Sequence, residues 1–244
     1  MTKLYLSVRN LPKLRAKEIT IAIVILLSLI SATSVTAATW DLFYNAAPSN
    51  TGPTGNTVLR LSSPTTGTDA YGYIRYMPDT PFALNNLTNL STGFNMVQGP
   101  FIGGSPRFDI GLDFNNDGFF DWTNDRLLYA YWGTQPWGSG TPPTGWTNTG
   151  NFMGTSLWGD ITFFDGNAQY TLAGLNTAFG TLNVMRVYVS LDSGWSGNSQ
   201  ILDIDNFTVN NDVYRASSVP EPASMLLLGF GLIGLAGFAI RRKR

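Results

Sequence analysis

Between Trp40 and Val213 the chain alternates apolar and polar residues in short runs separated by Gly, Pro, Asn and Asp, the rhythm of strands and turns and not of helices. The runs that read as strands are residues 57–61, 71–76, 107–112, 126–132, 156–164, 169–172, 184–191 and 201–209. In 107–112, Phe108, Ile110 and Leu112 fall on one face and Asp109 and Gly111 on the other, which predicts a strand with one face in a core and one in water. In 184–191 the set Met185, Val187, Val189 and Leu191 stands opposite Arg186, Tyr188 and Ser190 in the same way. Eight or so such runs, with few of helix length, predict an all-β domain folded as a two-sheet sandwich of jelly-roll type. Residues 133–154 interrupt the pattern as a long Gly/Thr/Pro-rich loop carrying Trp137 and Trp146, of a length that compact domains keep for function or mobility.

The two ends have a different pattern. Lys3, Arg9, Lys13, Arg15 and Lys17 precede a stretch, 19–30, that is apolar except for Thr20 and Ser28. Val35-Thr36-Ala37 then supplies small residues. This layout predicts a signal peptide over 1–37, taken by the general secretory translocon and cut by signal peptidase after Ala37, with Ala38 as the alternative. At the far end, residues 223–240 carry no charge, and these 18 residues lie just above the lower limit of about 17 for a helix that spans a bilayer. Arg241, Arg242, Lys243 and Arg244 follow, and such a basic cluster stays on the cytoplasmic side, leaving everything before it outside. The expected organisation is therefore a signal peptide (1–37), a β-sandwich (38–209), a polar stem (210–218) and a membrane-embedded end (219–244).

A Pro220-Glu221-Pro222 triplet, a short Gly-containing apolar helix and an Arg-rich tail, in that order, closely resemble the PEP-CTERM sorting signal of Gram-negative bacteria. The resemblance covers 219–244. It implies transient membrane anchoring, processing by an exosortase, and delivery to the cell surface or extracellular matrix in cells that make exopolysaccharide and biofilm. An ordinary single-span anchor with a proline-containing stem is the alternative. A weaker resemblance lies in 187–195 and 202–209, which look like the closing strand pair of carbohydrate-binding-module jelly rolls, where a final strand with a step such as Asp205-Asn206 is common. It bears on fold first and ligand second.

Charge and composition narrow the chemistry. The region between the two ends holds six arginines against fourteen aspartates, a net −8, with neither Lys nor Glu. Such a surface repels nucleic acid and attracts hard cations. Cysteine and histidine are absent from the chain, which excludes disulfides, thiolate and Ser-His-Asp catalysis, imidazole general bases and most transition-metal sites. A carboxylate-only glycoside hydrolase remains conceivable as a third reading, but the spacing of the aspartates singles out no pair.

Two constellations can still bind something. Asp113, Asn115, Asp117 and Asp121 stand at the first, third, fifth and ninth positions of a loop with Gly118 at the sixth, the opening of an EF-hand-type calcium site to which the Phe119 carbonyl would contribute. Asn124 stands where such a loop carries a bidentate Glu, so the expectation is a structural Ca2+ stapling a β turn, or a hairpin turn alone. The second constellation is aromatic: Tyr129, Tyr131, Trp132, Trp137, Trp146, Trp158 and Trp195. Indoles and phenols stack on the C–H faces of sugar rings. Trp137 and Trp146, in the loop, are the candidate glycan-binding residues; Trp132 and Trp158 sit in strand-like runs and read as core. Together these features predict an exported, non-enzymatic surface protein, or alternatively a lectin-like module for the polysaccharide exported with it.

Overall fold

The computed structural model describes residues 38–64, 70–102, 104–192 and 198–216. The expected signal peptide, the sorting signal with its Pro-Glu-Pro triplet, the span and the basic tail lie outside them, as does Trp195. Among the described residues no helix is long and apolar enough to cross a membrane.

Alternation places side chains on two sides of two antiparallel sheets. The larger contains β1 (Thr39–Tyr44), β4 (Tyr71–Met77), β12 (Asn183–Asp192), β7 (Arg107–Asp113), β8 (Arg126–Tyr131), β10 (Phe163–Phe164) and β11 (Gln169–Tyr170) in that spatial order, with β5 (Phe82–Ala83) extending one side of β12. The smaller contains β2 (Ala46–Ser49), β3 (Val58–Ser63), β13 (Gln200–Val209), β6 (Leu90–Gln98) and β9 (Thr147–Asn148), with β14 (Asp212–Tyr214) pairing to the end of β13. Among the described residues the chain passes between the sheets seven times, from β1 to β2, β3 to β4, β5 to β6, β6 to β7, β8 to β9, β9 to β10 and β12 to β13. Ile74, Phe108, Ile110, Leu128 and Val189 from the larger sheet share a core with Leu59, Leu61, Phe94, Leu202 and Phe207 from the smaller. Phe108 stacks on Phe207 across the gap, with ring centroids 5.9 Å apart. The all-β sandwich is as the pattern predicts; Trp132 is a core residue, and Trp158 is half-buried and packs against the core.

Two of the three register shifts in these sheets explain where simple alternation fails. In β12 the register shifts between Val184 and Arg186, so Val184 is buried in place of the expected Met185. In β13 the shift falls between Asp205 and Thr208, where Asn206 adopts φ 53°; Leu202 and Ile204 point inward before it and Phe207 and Val209 after it. An extra residue at a bulge changes which parity faces the core.

Other boundaries move. Of 156–164 only Phe163–Phe164 is strand, because Ser156 folds back on Gly159 in a turn in which its hydroxyl donates to the Gly159 carbonyl. Residues 169–172 end as a strand at Tyr170, and Leu172 opens helix α1 (Leu172–Phe179), capped by the Thr171 hydroxyl accepting from the Gly174 N–H. The supposed polar stem begins inside the domain. Its Asp212–Tyr214 segment is β14, tied to the larger sheet by the Tyr76 hydroxyl donating to Asp212 at 2.6 Å and by Tyr214 against Trp40. Burial pushes the Tyr76 hydroxyl pKa well up, and Asp212 adds to the shift.

A candidate binding face on the larger sheet

The face of β7 opposite the core is not wet as the alternation implied. β7 is a central strand, and Asp109 lies buried between β12 and β8. It accepts from Arg107 Nε at 2.7 Å and from the Ser190 hydroxyl, while Arg107 also donates to the Gly104 carbonyl and lies 3.7 Å from Asp192. A carboxylate removed from water needs such partners. Burial raises the Asp109 pKa above the ordinary carboxylate value, with Arg107 and Ser190 working against that rise. Burial also opposes the charge of Arg107, but Asp109 and Asp192 outweigh it and hold the guanidinium protonated.

Rings stand on either side of this polar floor. Tyr71 and Tyr73 on β4 are parallel within 8°, and Tyr129 and Tyr131 on β8 within 2°. Side chains two apart on a strand share a face, which is why the alternation of β4 and β8 lines the rings up. Tyr188 meets Tyr73 edge-on, and Arg107 lies over the Tyr129 ring at 5.4 Å. Burial raises the pKa of Tyr73, Tyr129 and Tyr131, so their hydroxyls stay protonated donors.

The floor and the rings enclose two grooves. The first, about 440 Å³, runs over β4, β12 and β7 between Tyr71, Tyr73, Tyr188 and Asp109, with Trp122 of the β7–β8 loop on its rim. The second, about 540 Å³, runs over β8 and β10 between Tyr129, Tyr131, Trp137 and Phe164. Arg107 lines both. Gly104 closes the second groove: it has φ +77°, and a Cβ there would lie 2.7 Å from the Tyr131 ring.

Of the two candidate tryptophans, Trp137 enters this site, meeting Phe164 edge-on at 5.7 Å. Trp146 directly precedes β9 and so belongs to the border of the smaller sheet. The tyrosines of β4 and β12 were absent from the aromatic set drawn from the sequence. Their signal was present in the alternation of 71–76, where Tyr71 and Tyr73 occupy the positions opposite the apolar Ile74.

The 113–121 loop is a hydrogen-bonded turn. Asp113 accepts from the N–H groups of Asp117 and Gly118, and Asp117 from that of Phe119; Asn116 and Gly118 take the positive φ the reversal needs. Asp121 does not join them but caps the next turn, accepting from Thr123 and Asn124, and Asp125 accepts from Phe114 and Asp121. Among the described residues no three acidic side chains converge as metal ligands.

Comparison with known proteins adds the delivery route. Residues 218–243 match the PEP-CTERM protein-sorting motif. A chain with this motif is exported, passes the membrane and is sorted to the cell surface through processing by an exosortase. No curated protein matches the chain. Among solved structures it is similar to the binding domain of Paraclostridial Mosquitocidal Protein 1, at 13% identity and a TM-score of 0.34, over 75% of this chain and 46% of that one. The chain thus spans less than half the length of that protein chain.

Proposed function

We propose that the ectodomain is a non-catalytic glycan-binding module carried to the cell surface by its sorting signal, where it holds exopolysaccharide in the biofilm matrix of a Gram-negative bacterium. The observation that carries this reading is the ring-lined, polar-floored face of the larger sheet. Tyr71, Tyr73, Tyr129, Tyr131 and Trp137 offer flat apolar surfaces to sugar C–H groups, and Ser190, Asp109 and Arg107 offer fixed polar atoms to hydroxyls. A carboxylate-only hydrolase draws no support from this face. Its two acids, Asp109 and Asp192, both lie on one guanidinium, at 2.7 and 3.7 Å, rather than opposing each other across a cleft.

The test is retention of the full chain on exopolysaccharide from the producing cells, with Tyr129→Ala and Trp137→Ala as controls. The expected result is retention that both substitutions weaken; equal retention of all three proteins would end the reading. Delivery is tested separately by deleting 219–244, which should abolish surface retention and leave the melting temperature of the sandwich unchanged.

A structural Ca2+ at Asp113, Asn115, Asp117, the Phe119 carbonyl and Asp121 is a separate proposal, supported by the sequence spacing of those oxygens. It requires Asp113 and Asp117 to exchange backbone N–H groups for the metal and Asp121 to turn toward them. Millimolar calcium should then raise the melting temperature over that in chelator. Identical melting would leave the turn as the loop's whole role.

A further inference from the structure

The two grooves are halves of one surface, because the strand register runs through both. Tyr73, Ser190, Arg107 and Tyr131 are successive cross-strand partners on β4, β12, β7 and β8. Tyr188, Asp109, Tyr129 and Phe164 form the neighbouring row on β12, β7, β8 and β10. Each row has rings toward its ends and a member of the polar floor between them. Arg107 stands where the grooves meet, on the wall of each.

Resting on the glycan reading, the geometry points to a single linear, uncharged polysaccharide lying across the strands and filling both grooves, with Arg107 beneath the crossing. From β4 to β10 there are four strand intervals, about 19 Å at about 4.8 Å each, and a linear glycan advances by roughly one such interval per sugar, so about four sugars fill the site. The charge selects a neutral chain. Arg107 at the crossing is already matched by Asp109 and Asp192, and the net charge of −8 on the region around it outweighs Arg186 behind Tyr188 and repels an acidic polymer.

The experiment is isothermal titration of the full chain, held in a detergent without a sugar headgroup. The probes are gluco-, manno- and xylo-oligosaccharides of two to six units, with oligogalacturonates of matching length as the acidic comparison. Tyr44→Asn probes the first groove and Trp137→Ala the second. Both side chains are about half exposed (52% and 54%), so neither substitution threatens the fold, and Asn tolerates the φ of 54° at position 44. The expected result is affinity that climbs until about four units in a neutral series, with each substitution weakening the hexamer roughly fivefold to tenfold. Affinity that levels off at two units, sensitivity to only one of the two substitutions, or tighter binding of the acidic series would overturn the two-groove inference while sustaining a glycan module. Absence of binding to every oligosaccharide, together with no retention on the producer's own polysaccharide, would overturn both.

Discussion

Replacing Arg107 with Met tests the account of the polar floor directly. The substitution keeps the length of the side chain and removes the guanidinium, with its 2.7 Å bond to Asp109 and its 3.2 Å bond to the Gly104 carbonyl. It leaves the Asp109 carboxylate, whose side chain is 5% exposed, with the Ser190 hydroxyl and without a counter-charge. Breaking a buried pair from one side costs about 3–5 kcal/mol. Arg107 is itself 17% exposed, so water can reach part of the vacated space, and the lower end, about 3 kcal/mol at pH 7, applies. For a domain of this size that is a fall of roughly 6–12 °C in melting temperature.

The loss must also depend on pH, and its sign is fixed. Burial already raises the Asp109 pKa in the folded state, and removing Arg107 raises it further. A carboxyl whose folded pKa lies above its unfolded value of about 4 gives its full stability below that value and loses it as the pH climbs through the folded pKa. The deficit of Arg107→Met relative to wild type should therefore be smaller near pH 4 and grow as the pH rises toward neutrality. The double variant Arg107→Met/Asp109→Asn has no buried charge and should recover part of the loss with little pH dependence. Urea denaturation between pH 4 and 8 reads all three proteins. A deficit of equal size at both ends of that range would refute the idea that an unpaired Asp109 charge causes it.

Other consequences are simpler to measure. Phe108→Ala removes a fully buried ring that touches Trp132, Phe152 and Phe207 and should cost about 3–5 kcal/mol in the same assay. Gly104→Ala places a methyl against Tyr131 on a left-handed backbone, so it should weaken oligosaccharide binding in the second groove and lower stability by about 1 kcal/mol or more. Tyr76→Phe removes the hydroxyl that holds β14 through Asp212, and about 1 kcal/mol of stability with it; hydrogen exchange should quicken at 212–214 first. Burial opposes the charge of Asp165, but the N–H groups of Ala168 and Asn167 and the Tyr170 hydroxyl outweigh it and lower its pKa. Asp165→Asn should accordingly be less stable than wild type at pH 7, with the gap closing as the pH falls through the lowered folded pKa.

The sheets were legible where alternation is regular and long. Arg107–Asp113 and Tyr71–Met77 appear within a residue of the boundaries read from the pattern. β1 was not marked as a strand although Trp40, Leu42 and Tyr44 alternate with Asp41, because Phe43 breaks the polarity; in the fold Phe43 packs against Tyr73 on the outer face. α1 was hidden by its length. Eight residues with Leu172, Leu175 and Phe179 at helical spacing look like the tail of the strand before them unless Thr171 is recognised as a cap. The face of β7 was misjudged for a different reason. Alternation tells which residues share a side, but only the number of neighbouring strands tells whether that side is wet, and pairing on both edges buries Asp109. The tyrosine rows are equally a property of register. Tyr73 and Tyr131 lie 58 positions apart in the chain, and only the placement of β12 and β7 between their strands puts them in one row.

β1 starts with Thr39 beside Met77 and finishes with Tyr44 beside Gly72, and the last strand brings Tyr214 to within 5.6 Å of Trp40. The first strand therefore enters the sandwich at one pole, while Tyr44, Tyr71 and Asp192 crowd the opposite pole, about 17 Å away along β1. The pole at which β1 begins therefore carries none of the rings that line the first groove.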